Sequence, residues 1–362
     1  MPPEVFSPDN GVMDEVPAGG NAEPIDAAHA EQARTRWSQL SGVGGGFGRL
    51  EDLGTWIAAV QGNCPPRAIT RPVAIIVGGD HGIARTRRIS ASKPERTAET
   101  MRRISVDEAA ICAVARVVNV TVRLIDVAVD APSDYLDDID PRIARSRIRR
   151  GTQPMDVEDA MGYDEAAAAV ELGRTIVDDE IDSGADLIVA GNVGVGATTP
   201  ASSVIASLTV RDPISVTGRG SGIDDVGWMD KVAAIRDAVH RAKDARGDMI
   251  GLLARIGGPD IAALTGMLLQ AAARRTPVIL DGLVVASAAL VTHRLDFRSP
   301  QWWVAGQDSG EPAHSIALER LDLRPILDLT MPHEEGIGGL LAVPIVRSAI
   351  AVLSETSPPL RE

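Results

Sequence analysis

Leu187–Thr199 reads LIVAGNVGVGATT: an apolar run broken by Gly191, Gly194 and Gly196 and closed by Thr198 and Thr199. A strand that runs into glycines and then into a helix N-terminus is how α/β proteins build an anion cradle. Glycine lets backbone N–H groups approach an oxyanion, and the first helical turn adds partial positive charge. The two threonine hydroxyls are candidate donors to the same phosphate. This stretch predicts an α/β fold that holds a phosphorylated small molecule.

Outward from it, short apolar runs (Val73–Val77, Val120–Val127, Val278–Leu280, Trp302–Ala305, Ile326–Leu329) alternate with helical stretches (Asp164–Asp182, Lys231–Lys243, Ile261–Arg275, Glu311–Leu321). Such alternation predicts a parallel, Rossmann-like sheet with helices on both faces. Four of the runs end in polar, glycine-containing corners: Gly78-Gly79-Asp80-His81-Gly82, the glycine loop, Asp281-Gly282 and Gly306-Gln307-Asp308-Ser309. In open parallel sheets ligands bind outside the carboxyl ends of the strands, so these corners are expected to share one crevice. Before the first run, Asp26 is an N-cap for a helix to about Leu40, and Ser41–Gly48 (SGVGGGFG) is a loop into an amphipathic helix, Leu50–Gln61. Residues 1–24, rich in Pro, Gly, Asn and acids, read as a disordered tail. The division expected is a tail at 1–24, a helical segment at 25–66, an α/β domain at 67–330, and a C-terminal loop and helix at 331–362.

Composition narrows the function. A net charge of −14 argues against general nucleic-acid binding, which draws its affinity from a basic face. Cys64 and Cys112 are too few for a disulfide framework or a cysteine zinc site, which fits a reducing cytoplasm. The first residues lack the basic and apolar regions of a signal peptide. Pro277–Val291, read as the longest nearly apolar stretch, is broken by Asp281 and Gly282 and is too short for a bilayer. The histidines have no metal-ligand spacing, and neither a Gly-x-Ser-x-Gly elbow nor a Walker A sequence occurs.

Three segments carry candidate chemistry. In the first glycine loop Thr199 stands at the third glycine of a dinucleotide fingerprint, which argues against a nicotinamide dehydrogenase. A glycine turn without a ligand is the other reading of that loop. Gly218-Arg219-Gly220-Ser221-Gly222 is a second glycine loop, and Arg219 and Lys231 are the expected charge partners of a phosphate; the alternative is a solvated surface loop. His333-Glu334-Glu335-Gly336 precedes an apolar helix, Leu340–Leu353. Carboxylates there act either as helix-dipole partners or as a general base, and adjacent like charge would raise the pKa of one of them. The arginines at 142, 145, 147, 149 and 150 read as a solvated face.

Taken in order, LEDLGTWIAAVQ at Leu50, GGDHGIA at Gly78, RRGT at Arg149, AGNVGVGATT, GRGSGIDD, ILDG at Ile279, AGQDSGEP at Ala305 and EEGIGG resemble the nicotinate-nucleotide–dimethylbenzimidazole phosphoribosyltransferase family, from about Gly48 to Leu353. The resemblance implies a parallel α/β sheet plus a small helical domain built from both chain ends, in a homodimer. It implies transfer of the phosphoribosyl group of nicotinate mononucleotide to 5,6-dimethylbenzimidazole, giving α-ribazole 5′-phosphate and nicotinate for the cobalamin nucleotide loop, with no metal or organic cofactor. It places the general base on Glu335. The phosphate and ribose side would comprise Gly194, Gly196, Thr198, Thr199, Arg219, Gly220, Ser221, Gly222, Lys231 and Ser309, and Ser90–Glu99 would border the base. The partners implied are small molecules alone, with no nucleic acid or membrane.

The chain departs from the family pattern at particular positions. An acidic residue of the phosphate loop is Asn192, and the aromatic and amide expected at the base are Ser92 and Glu99. A Gly-Gly pair is Asp107-Glu108, and Pro332-His333-Glu334 replaces Arg-Leu-Gly before the base. Glu99 is thereby a candidate to hydrogen-bond an imidazole N–H, and Glu334 to crowd Glu335. The alternative function is a diverged, non-catalytic member that binds a nucleotide or base as a regulator.

Overall fold

The computed structural model describes residues 21–41, 46–132, 134–136, 138–140, 142–332 and 335–358. Most of the tail, the middle of the Ser41–Gly48 loop, and His333 and Glu334 lie outside the described residues. The end of the tail is tied down: Ala22 N–H donates to Asp296 Oδ2 at 2.8 Å, and Trp302 Nε1 donates to the Glu23 carbonyl.

Two helices open the fold, α1 (Ala27–Ser41) and α2 (Arg49–Gln61). Asp26 caps α1 as expected, accepting from the Ala28 and His29 amides. Strand β1 (Pro72–Gly79) is followed by α3 (Ile83–Thr86), α4 (Arg96–Ser105), α5 (Ala110–Val118), β2 (Thr121–Ala128) and α6 (Tyr163–Asp182). Strand β3 (Leu187–Val193) leads through the glycine loop to α7 (Thr198–Thr209), α8 (Pro213–Val216), α9 (Asp225–Arg241), α10 (Met249–Ile256) and α11 (Pro259–Ala273). The chain closes with β4 (Val278–Leu280), α12 (Gly282–Leu295), β5 (Trp303–Ala305), β6 (Gln307–Asp308), α13 (Pro312–Arg320), β7 (Leu327–Asp328) and α14 (Ile337–Glu355).

Strands β2-β1-β3-β4-β5 form one parallel sheet in that order. The order reverses between β1 and β3, which makes the ends of those two strands the topological switch point. The expected strand Ile326–Leu329 does not join this sheet; only Leu327 and Asp328 are extended, and they pair with β6.

Alternate residues of β1 serve opposite layers. Val73, Ile75 and Val77 pack with α6, α7 and α9–α13, whereas Ala74 and Ile76 pack with α2, α4, α5 and α14. Both central strands are buried throughout, as a sheet covered on both faces requires. The chain ends meet in this second layer: Trp37 and Leu40 of α1 pack with Ala58 of α2 and Leu353 of α14. By length and composition α14 could cross a membrane, so Pro277–Val291 is not the most membrane-like stretch of the chain. In the fold α14 is a core helix, burying Leu340, Val343 and Val346 on the sheet.

The arginine cluster is split: Arg142, Arg145 and Arg150 are solvated as expected, whereas Arg147 and Arg149 turn partly into the fold. Arg147 pairs with buried Asp126 at 2.5 Å, Arg149 with Glu165 at 2.8 Å and Arg150 with Asp130 at 2.7 Å.

Close backbone approach sets two features of the core. A Cβ on Gly266 of α11 would lie 1.8 Å from the Val170 carbonyl oxygen, and one on Gly173 of α6 would lie 2.0 Å from that of Ala263. At the end of β4, Asp281 is fully buried under the turn that opens α14. Burial pushes its carboxyl up to about 7, against the opposing pull of the Gly339, Gly336 and Gly338 N–H groups.

Gly266→Ala forces α6 and α11 apart and is expected to cost about 2–3 kcal/mol in urea unfolding; an unchanged midpoint would contradict the packing. Asp281 keeps its proton in the fold at a pH where the unfolded chain has released it, so its contribution to stability is lost as pH rises through its raised pKa. Asp281→Asn cannot titrate. Its melting temperature relative to wild type should therefore climb between about pH 4 and about pH 7 and level off above that, and a gap independent of pH would refute this.

Candidate active site

A cleft of about 410 Å³ opens beside the switch point, at the carboxyl end of β3. Its floor is Asn192–Thr198; Gly220–Gly222 lines one part, Ser90, Ser92, Arg96, Thr97 and Thr100 another, and Pro332 and Glu335 complete it. Glycine is required where these segments touch. A Cβ on Gly194 would sit 2.0 Å from the Gly79 carbonyl oxygen, and Gly196 adopts φ +84°. Gly336, at φ +90°, sets the turn after Glu335, and a Cβ there would meet Ile76 Cδ1 at 2.6 Å.

The first glycine loop is held from below by a buried carboxylate. Asp80 Oδ1 accepts from Val195 N–H at 3.0 Å and from the Thr97 hydroxyl, while Oδ2 accepts from Asp130 N–H at 2.8 Å. Burial raises the Asp80 pKa, and those donors pull it back. Beside it His81 Nε2 and Asn192 Nδ2 both lie on Asp260 Oδ2, at 3.1 and 3.0 Å.

Lys231 of α9 is completely buried behind both loops. Its Nζ donates to Thr198 Oγ1 at 2.9 Å and to the Gly218 carbonyl at 3.2 Å, and a Cβ on Gly220 would lie 3.3 Å from it. Because Thr198 accepts from the ammonium, its own O–H is left to donate toward the cleft. Glu311 anchors the second loop by accepting from Gly220 N–H at 2.9 Å. Ser221 Oγ joins that loop to the Ser90 segment, 3.3 Å from Ser90 Oγ and accepting from Ala91 N–H at 2.8 Å.

The structure thus brings Gly194, Gly196, Thr198, Gly220, Ser221, Gly222, Ser90, Ser92 and Glu335 to one cleft, with Lys231 directly behind. Four expected residues lie elsewhere. Thr199 is turned into the fold and fully buried. Arg219 pairs with Asp225 at 2.5 Å and donates to the Ile223 carbonyl, so its charge serves the start of α9. Ser309 is buried 2.9 Å from His314 Nδ1. Burial holds that imidazole down to about 4, leaving it neutral and able to accept. Glu99 stands on the exposed side of α4, 3.9 Å from Arg96, and it is Arg96, Thr97 and Thr100 that face the cleft. Arg96, Thr100 and the Asp80–Thr97 support were not picked out from sequence. The only available signal was helical phase, since 96 and 100 are one turn apart.

This arrangement offers an anion cradle backed by a lysine and, across the same cleft, one carboxylate able to accept a proton. The phosphoribosyltransferase family model matches residues 22–358. The chain is 47% identical over 331 residues to a nicotinate-nucleotide–dimethylbenzimidazole phosphoribosyltransferase of Mycobacterium avium, covering 91% of this chain and 93% of the relative. To the enzyme of the same name from Mycobacterium tuberculosis it is 46% identical, covering 91% and 90%. The crystal structure of CobT from Thermus thermophilus superposes with a TM-score of 0.84 at 31% identity, covering 90% of this chain and 96% of that one. Parallel sheet, glycine loops and full-length similarity agree: the chain belongs to the nicotinate-nucleotide–dimethylbenzimidazole phosphoribosyltransferase family.

Proposed function

We propose that this protein transfers the 5-phosphoribosyl group of nicotinate mononucleotide to a benzimidazole-type base, releasing nicotinate and forming an α-ribazole 5′-phosphate. The observation that carries the reading is the opposition, across one cleft, of Glu335 to two glycine loops backed by Lys231.

In this reading the phosphate lies over Gly194–Thr198 and Gly220–Gly222, drawing on backbone N–H groups, the Thr198 hydroxyl and the charge of Lys231. Glu335 removes the N–H proton of the base. The other ring nitrogen attacks C1′ as the bond from C1′ to the pyridinium nitrogen breaks, so that nicotinate leaves with the bonding pair. Attack opposite the leaving group inverts C1′ and yields the α-ribotide. Fixing both substrates in one cleft supplies proximity, and the carboxylate supplies general base catalysis. Asn192 and Ser92 alter the wall presented to the base without touching this proton path. We also propose a homodimer acting in the cytoplasm; sedimentation of the full chain tests the oligomeric state.

The test is nicotinate release from nicotinate mononucleotide with 5,6-dimethylbenzimidazole, followed by mass spectrometry. Glu335→Gln should lower kcat by about a hundredfold or more while the nucleotide still binds. Lys231→Met should instead raise KM for the nucleotide, by about tenfold or more. Nucleotide binding without turnover on any azole would make the chain a binding protein on a transferase scaffold.

A further inference from the structure

The cleft divides along the sheet. Thr198 and Lys231, on α7 and α9, belong to the layer on one face. Helix α4 and the turn carrying Glu335 belong to the other, where Met101 and Ile104 share a cluster with Ile76, Ile111 and Leu340. A base whose N–H meets Glu335, and whose second nitrogen faces a ribose held on the α7–α9 side, turns its remaining edge to α4.

That wall is polar. Ser92, Arg96 and Thr100 line it, with Asn192 at its foot. The Arg96 backbone is fixed because the next residue, Thr97, accepts from Val195 N–H at 2.9 Å and donates to Asp80. Its side chain is about half exposed and makes a long ion pair, 3.9 Å, with the exposed Glu99 carboxylate. Thr100 stands one turn along on the same side of α4. Asn192 spends both amide hydrogens inward, on the Val77 carbonyl at 3.1 Å and Asp260 Oδ2 at 3.0 Å. Two acceptors fix the orientation of that amide and leave its oxygen for the cleft.

A base with only methyl groups on its far edge would desolvate the guanidinium and hydroxyls without replacing their water. A ring oxygen or nitrogen there would accept from Arg96. Sites lined with hydrogen-bonding groups discriminate strongly against analogues that lack the partner. We infer that the enzyme selects azole bases whose edge remote from the attacking nitrogen carries a hydrogen-bonding heteroatom, with Arg96 as the specificity-determining residue. This rests on the transferase reading and on Glu335 as the base.

The experiment is a competition in one tube. Limiting nicotinate mononucleotide is offered with equal 5-hydroxybenzimidazole and 5,6-dimethylbenzimidazole, and the two ribotides are quantified by mass spectrometry for wild type, Arg96→Val and Arg96→Lys. The two bases share the ring and the attacking nitrogen and differ only at the remote edge. The expected ratio favours the hydroxylated product by about tenfold in wild type, falls to parity or below in Arg96→Val, and is partly restored in Arg96→Lys. A competition ratio is independent of how much variant is folded, and a purely structural Arg96 would slow both products alike and leave it unmoved. A wild-type ratio favouring the dimethyl base, or a ratio unchanged in Arg96→Val, overturns the inference. If wild type forms neither ribotide and releases no nicotinate, the transferase reading itself fails and takes the inference with it.

Discussion

Backbone touching backbone at the switch point is the constraint on which the site depends. A side chain on Gly194 would strike the Gly79 carbonyl at 2.0 Å, and one on Gly191 would come within 2.9 Å of the Gly336 Cα. The first contact presses the phosphate loop onto the end of β1. The second lays the turn after Glu335 onto β3. With no side chain intervening at either place, loop and carboxylate border the same cleft although they are far apart in sequence. Larger residues would force them apart by about 1 Å, a misplacement that a reaction requiring near-attack geometry does not tolerate.

The buried polar groups below the cleft serve that constraint. Asp80 ties together three segments, through the Val195 amide, the Thr97 hydroxyl and the Asp130 amide. Asp260 does the same for β1 and β3 through His81 and Asn192. Such carboxylates are costly to bury, and their cost is offset only when every donor is in place, so the network favours one arrangement of the loops over neighbouring ones. Asn192 fits this role well: a neutral amide can donate to Asp260, where a carboxylate would have opposed a second buried negative charge.

What the sequence revealed and what it hid divide along physical lines. The glycine loops were legible as loops because a strand running into glycines is a local pattern; the assignment of the base to Glu335 came from the resemblance to the family, since a carboxylate before a helix has two readings. Helical phase was not legible. Thr198 and Thr199 are adjacent but point about 100° apart on α7, so only the first reaches the cleft. The start of α4 at Arg96 likewise turns Glu99 outward and Thr100 inward. The pairing of Arg219 with Asp225 was not legible either. Asp281 was legible only as a polar strand end; its burial was not, since that depends on α14 closing over β4 from the other end of the chain.

The two-layer construction also explains why one cleft can hold opposite charges for different tasks. Lys231 reaches the phosphate loops from the α7–α9 layer, and Glu335 stands on the turn that opens α14 in the other layer. An ammonium in contact with Glu335 would stabilise its ionised form and weaken it as a base. Hydrogen bonds to Thr198 and the Gly218 carbonyl hold the lysine behind the two glycine loops. A nucleotide spanning the sheet edge would then meet its counter-charge on one side and present C1′ to the other. Ser92, Arg96 and Asn192 stand in the same cleft as Gly194, Gly196 and Glu335, on the side away from Lys231.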